Sequence, residues 1–191
     1  MTQLFSHLRV SSEYSISQGL LTVDQIVDNA IRNSVPSVAL TDKSNMFGLV
    51  KFFNKCESAG IKPISGSSIR LIFDDDDTSY ELLCLAKTNN GHKNLMKIIS
   101  NAHNNSSFNS PIIRFNDLIE LKDDIIVISG GKDSHIFEYL KSNNISDASM
   151  RIEDFRNNFG DNFVLDVQLT NRIDEIELSL IHIWRCRRDS A

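Results

Sequence analysis

The sequence is poor in the residues that punctuate or cross-link a chain. Three prolines and eight glycines in 191 residues exclude collagen-like and Gly/Pro-rich low-complexity classes. The three cysteines, Cys56, Cys84 and Cys186, show no C-x-x-C spacing, so neither a zinc ribbon nor a redox motif is indicated. Cys56 and Cys84 fall on apolar faces and read as buried free thiols in a reducing cytosol. No apolar run reaches the length of a bilayer span, and no apolar signal segment follows Met1, so the expected location is cytoplasmic and off the membrane. Positive charge is also short. A net charge of −5 argues against non-specific nucleic-acid binding by the whole surface and leaves room only for a local basic patch. There is no G-x-x-x-x-G-K-[ST] phosphate loop, no G-x-S-x-G elbow and no basic stripe with interleaved aromatics.

What is present is enough apolar material, 41% of the chain, for one globular domain with a core. The stretch Pro36–Gly66 organises it. Ser37–Thr41 is a short β-prone run, and Asp42–Asn45 is the polar loop that follows. Leu49, Phe52, Phe53 and Cys56 recur at i, i+3, i+4 and i+7, which predicts a helix with one apolar stripe. Gly60 and Pro63 stop it, and Ile64–Phe73 is strand-like again. Strand, crossover helix and strand make a βαβ unit, whose repetition gives an α/β sheet. Chemistry in such sheets sits on loops after the strands, here the TDKSN loop.

The remaining chain keeps this alternation. Phe5–Val10 is expected to be a first strand. Thr22 and Gln25 form a capping box ahead of a stripe of Val23, Ile26, Val27, Ala30 and Ile31. Asp74–Asp77 reads as a solvated hairpin loop between strands Ile69–Phe73 and Tyr80–Ala86, since it lacks the ligand spacing of a calcium loop. Leu95, Ile98, Ile99 and Ala102 predict a helix, with a short one near Phe115–Leu121. Asp124–Ser129 reads as a strand ending in the tight turn Gly130-Gly131. Ile136, Phe137 and Leu140 mark the next helix, and Ala148, Ile152, Phe155 and Phe159 the one after. A last strand is expected from Phe163 to Gln168. His92, His103 and His135 sit on helices at no ligand spacing and read as surface or boundary residues.

Four blocks carry a resemblance, in order, over about Phe5 to Gln168: FSHLRVSSEYS, ALTDKSNMFG with GIKPISGSS, LAKTNNGHKNLMKIIS, and VISGGKD. Together they resemble the PHP (polymerase and histidinol phosphatase) domain of bacterial replicative DNA polymerase III α subunits. The resemblance implies a PHP-type distorted (β/α) barrel of mainly parallel strands. Active members are metal-dependent phosphoesterases whose His, Asp, Glu and Cys ligands gather divalent metals at the strand ends, where the metals activate water and clamp phosphate oxygens.

Matched position by position, this chain keeps few of those ligands. His7 and Asp42 are retained. Arg9 and Ser11 stand where histidines are found, and Lys43 replaces the histidine after Asp42. Ser68 replaces an acidic residue, Glu81 stands at a frequent histidine and Gly131 at a cysteine. The family's last Asp-x-His segment lies past this chain's end. Two survivors are fewer than the three protein ligands a metal normally takes. A cation such as Arg9 or Lys43, about 5 Å from a divalent ion, would repel it by about 6 kcal/mol at an effective dielectric of 20. The expectation is therefore no metal and no cofactor on this chain, with Arg9 paired to Asp42 in the cation's structural role. His7 is expected to be a packed, hydrogen-bonded strand-end residue.

The resemblance further implies a parent replicase, a DNA-directed DNA polymerase using Mg²⁺, whose polymerase carboxylates and DNA contacts lie in other domains. The missing-ligand pattern is similar to gammaproteobacterial α subunits, in which this domain is a scaffold that docks the proofreading exonuclease subunit within the polymerase III holoenzyme. The alternative is a free-standing phosphoesterase of the histidinol-phosphatase type. Residues 1–177 are expected to be the domain, incomplete at its C-terminal end. Residues 178–191, LSLIHIWRCRRDSA, resemble a translated sequencing adapter rather than native protein. An incomplete barrel leaves an open sheet edge, and low solubility of the isolated piece is expected.

Overall fold

The structure, a computed structural model, describes residues 5–16, 18–105 and 111–166. Helix α1 (Val23–Arg32) begins at the predicted capping box: Thr22 accepts from the Gln25 backbone and the Gln25 side chain answers on the Thr22 N–H. Such a cap contributes about 1 kcal/mol. Strand β1 (Ser37–Leu40), helix α2 (Leu49–Ser58) and strand β2 (Lys62–Phe73) form the βαβ unit, with β1 parallel to the first residues of β2. Gly60 takes φ +68° at the end of α2, a conformation that favours glycine. Leu49, Phe52 and Cys56 are buried, but Phe53 is 37% exposed. The apolar stripe of α2 is therefore narrower than the periodicity predicts, and Phe53 only lies edge-on against Phe52.

Strand β3 (Asp76–Ala86) returns antiparallel along β2, so the hairpin turn is Asp74 and Asp75 alone, and the second half of the acidic run, expected in the loop, already belongs to the strand. Helix α3 (Asn89–Asn105) follows, then β4 (Ile112–Arg114), α4 (Phe115–Glu120), β5 (Ile125–Ser129), α5 (His135–Lys141), α6 (Ile145–Phe159) and β6 (Phe163–Val164). The three-residue β4 is too short to be read from pattern. The sheet is mixed and open, in the order β1-β2-β3-β5-β6, with β4 pairing β2 beyond the point where β1 leaves it. Pairings β1–β2, β2–β4 and β5–β6 are parallel; β2–β3 and β3–β5 are antiparallel. The expected first strand over Phe5–Val10 is reduced to a single bridge, His7 with Val38. Residues 167–191, including the end of the last expected strand and the adapter-like stretch with Cys186, lie outside the described residues.

Both faces of the sheet are covered, which explains the unbroken apolar runs in β3 and β5. Leu82 and Cys84 point to the main core with Leu95, Ile98, Ala102, Leu118 and Phe155 from the helices. Leu83 and Leu85 point the other way, into a smaller cluster with Ala39 of β1 and Ile128 of β5. β1 and β5 are not neighbours in the sheet; Leu83 and Leu85 of β3, with the partly buried Ile64 of β2, join them. A second helix-side core joins α1, α2 and β1 through Val23, Val27, Leu40 and Phe52. Each such fully buried side chain contributes about 1.5–3 kcal/mol. Among the described residues, no helix is long and apolar enough to cross a membrane.

Candidate functional site

The parallel strands β1, β5 and β6 end on one side of the sheet, and the predicted site residues gather there. The first centre is Arg9. Its Nη1 donates to Glu81 Oε1 at 2.6 Å, and its Nη2 donates to Asp166 Oδ2 at 3.1 Å and to the Ser129 carbonyl at 3.3 Å. The three side chains are 19–29% exposed, so these charge-assisted bonds are only partly screened. Asp166 is fixed further by its backbone N–H, which donates to Ser129 Oγ at 2.8 Å.

The second centre is Asp42, fully buried. Its Oδ1 accepts from the Ser12 N–H at 2.7 Å and from Ser15 Oγ at 2.6 Å, and its Oδ2 accepts from Ser12 Oγ at 2.7 Å. Its carbonyl takes the Ser68 N–H and Ser67 Oγ. Three donors on two serines thus surround the carboxylate in place of a counter-ion. The expected Arg9–Asp42 pair is therefore not formed. Asp42 is saturated by hydroxyls and amides from the 12–15 turn and β2, while Arg9 has two carboxylates elsewhere.

Other expected positions separate similarly. Glu81 joins Arg9. Lys43 bridges to Ser68 through the backbone, and its N–H is held by Ser15 Oγ. The hydroxyls of Ser68 and its neighbour Ser44 are buried without a hydrogen-bond partner among the described residues. Ser11 is half-buried; its neighbour Ser12 is the residue turned onto Asp42. Gly131 is buried at φ +61° and opens a 3₁₀ turn, Gly131–Asp133. Gly130 lies so close to the Glu81 carbonyl that a Cβ would collide with its oxygen.

His7 is not packed as expected. Its side chain is exposed and rests edge-on against the Phe5 ring at 4.8 Å; its carbonyl accepts the Ala39 N–H. His135, expected near the surface, is 3% exposed and stacks on Tyr80 at 4.1 Å. The aromatic neighbours Phe73 and Tyr139 draw it in. His92 is half-buried against Ser65 Oγ, and His103 bonds the Ser44 carbonyl at 2.8 Å from an exposed position. Among the described residues, no three of His, Cys, Asp and Glu converge as a metal set. Glu81 and Asp166, the carboxylates that do converge, are bridged by a guanidinium and in this arrangement do not fit a divalent ion as well. The thiols stand apart: burial pushes Cys56 up to about 11 and Cys84 up to about 12.

Asp166, Ser12 and Ser15 were not singled out from the sequence. The serines stand within FSHLRVSSEYS, and their place in that block is the one signal that could have found them. Asp166 has no local signal.

Known proteins align with this chain over most of its length. It is 36% identical over 173 residues to DNA polymerase III subunit alpha of Vibrio cholerae, 33% over 179 residues to that of Pseudomonas aeruginosa and 35% over 174 residues to that of Escherichia coli K12. These alignments cover 90%, 93% and 90% of the chain, but 15% of each relative's length. Among solved structures, an amidohydrolase from Chromobacterium violaceum overlays 50% of this chain and 34% of its own, at a TM-score of 0.39 and 20% identity. That likeness carries no argument about function. The PHP domain model matches residues 7–170, a span holding both the Arg9 and the Asp42 centres, and the chain belongs to the PHP domain family.

Proposed function

We propose that this chain is the PHP portion of a bacterial DNA polymerase III α subunit, and that it works there as a metal-free docking and stabilising module. The parent would be a DNA-directed DNA polymerase, with its Mg²⁺-binding carboxylates and DNA contacts in other domains. The partner of this portion would be the proofreading exonuclease subunit of the holoenzyme. The similarity to three α subunits supports the parent assignment. The observation that carries the non-catalytic reading is the seat of Arg9 between Glu81 and Asp166. A permanently charged guanidinium engages the two carboxylates that converge at this site and takes the place a divalent cation would need between them. Asp42, the retained acid, spends its lone pairs on Ser12 and Ser15.

Two measurements test this together. The chain should co-purify with a co-expressed proofreading exonuclease subunit from a bacterial replicase, and should carry no stoichiometric zinc or manganese. Generic aryl phosphate should not turn over with added Mn²⁺ or Zn²⁺. Metal-dependent turnover abolished by Asp42→Ala would instead establish the phosphoesterase. Failure to retain the exonuclease would remove the docking role.

A further inference from the structure

The two edges of the sheet are far apart in strand order. Residues 7–10 run along the outer side of β1, where Ala39 N–H donates to the His7 carbonyl at 2.9 Å and Thr41 N–H to that of Val10 at 2.8 Å. At the other edge, β6 has no further strand beside it among the described residues. Between the edges lie β1, β2, β3 and β5. Arg9 starts from the first edge, yet its guanidinium lands on Glu81 in β3, on the carbonyl that ends β5 and on Asp166 just past β6. The inner cluster of Ala39, Leu83, Leu85 and Ile128 joins β1, β3 and β5 between these edges.

We infer that Arg9 is a clasp, a tethered cation that holds the N-terminal edge of the curled sheet against the β5–β6 edge, and that this closure requires positive charge in the Glu81–Ser129–Asp166 cradle. Backbone pairing closes an ordinary barrel; here one side chain spans the gap. The fork matters because the acceptors lie on different strands. Nη1 serves Glu81 while Nη2 serves both Ser129 and Asp166, which a single ammonium reproduces poorly. Without the cation, two carboxylates face one another and repel, and the β6 edge is left with its two-residue ladder to β5, the Asp166 N–H bond to Ser129 Oγ and the stacking of Phe163 on Phe155. The claim stands whether or not the chain docks an exonuclease.

Hydrogen exchange followed by mass spectrometry on the full 191-residue chain tests it. Arg9→Ala should speed exchange about tenfold in peptides covering residues 7–12, 125–129 and 160–166, and leave the β2–β3 hairpin and α3 at wild-type rates. Millimolar guanidinium should restore protection at those edges; urea, neutral and of similar shape, should not. Arg9→Lys should keep part of the protection and Arg9→Met none. Arg114→Ala, which breaks the exposed pair with Asp74, should leave the edges unchanged. Uniform acceleration along the chain, unchanged exchange at 160–166, or equal rescue by urea would overturn the clasp. Should Arg9→Ala fail to fold, the Lys and Met variants decide: protection by Met equal to that by Lys overturns it.

Discussion

Ser15 Oγ lies 2.6 Å from Asp42 Oδ1 and donates to it, in a place with no solvent. With the N–H and hydroxyl of Ser12, it makes a carboxylate tolerable in the interior and ties the 12–15 turn to the end of β1. Asp42→Asn keeps the shape but removes the charge that strengthens these bonds: Ser12 Oγ can turn to accept from the new NH₂, while the Ser12 N–H and Ser15 Oγ keep only a neutral acceptor. A hydrogen bond to a charged group contributes about 1.5–3 kcal/mol and a neutral one about 0.5–1.5 kcal/mol. Asp42→Asn is therefore expected to lower stability by about 2 kcal/mol or more, read as a lower urea midpoint at unchanged slope. Ser12→Ala and Ser15→Ala should be non-additive with it, since all three share one acceptor.

Gly130 sits against the Glu81 carbonyl where no Cβ fits. Gly130→Ala forces backbone against backbone, because neither partner is the tip of a flexible side chain. We expect a loss of about 1–3 kcal/mol, measured by thermal or urea unfolding. A neutral result would mean that the β3–β5 spacing is softer than described. Gly60→Ala is the contrast: its Cβ meets open space and only the positive φ is penalised, by about 1 kcal/mol.

Arg151 is buried in α6 and forks onto Asp75 at the hairpin tip, while its guanidinium lies 4.2 Å over the Phe73 ring. The bond to Arg151 holds the Asp75 carboxyl below its usual range. A lowered carboxylate adds stability above its unfolded pKa and loses it as pH falls through the folded pKa. Asp75→Asn should thus be less stable than wild type at neutral pH. The gap should shrink below about pH 4 and close in stronger acid. Asp75 is 60% exposed, so solvent keeps the gap small. A gap that widens toward acid would contradict the pairing.

Neither described cysteine is expected to react in the folded chain. With Cys56 pushed up to about 11 and Cys84 up to about 12 by burial, thiolate is scarce at pH 8. A thiol reagent should label both only after denaturant is added, and rapid native labelling of Cys84 would show that β3 opens.

Legibility in the sequence followed the range of the interaction. The Thr22–Gln25 box, the βαβ unit and the Leu95–Ala102 stripe rest on residues three to four apart or on one crossover, so pattern alone reveals them. Arg9 was marked as foreign to a metal site, but its partner was misassigned. Asp166 is 157 residues away and nothing local announces it, whereas Asp42 stood in a visible motif. Buried Arg151 and His135 were missed for a related reason. Each is carried into the interior by an aromatic surface assembled from distant elements, Phe73 of β2 and, for His135, Tyr80 of β3. Serine is chemically anonymous in a sequence, so the Ser12 and Ser15 donors emerge only once the turn is folded onto Asp42.

The 157-residue separation between Arg9 and Asp166 also sets an order of events on the ribosome. At roughly 5–20 residues per second, the arginine is made roughly 8–30 seconds before its far acceptor. Throughout that interval the nascent N-terminus can settle against β1 and offer its guanidinium to Glu81, but not complete the ring. Maturation of this end of the molecule is thus timed by translation of its other end, and a ribosomal pause between the two codons would prolong the half-fastened state.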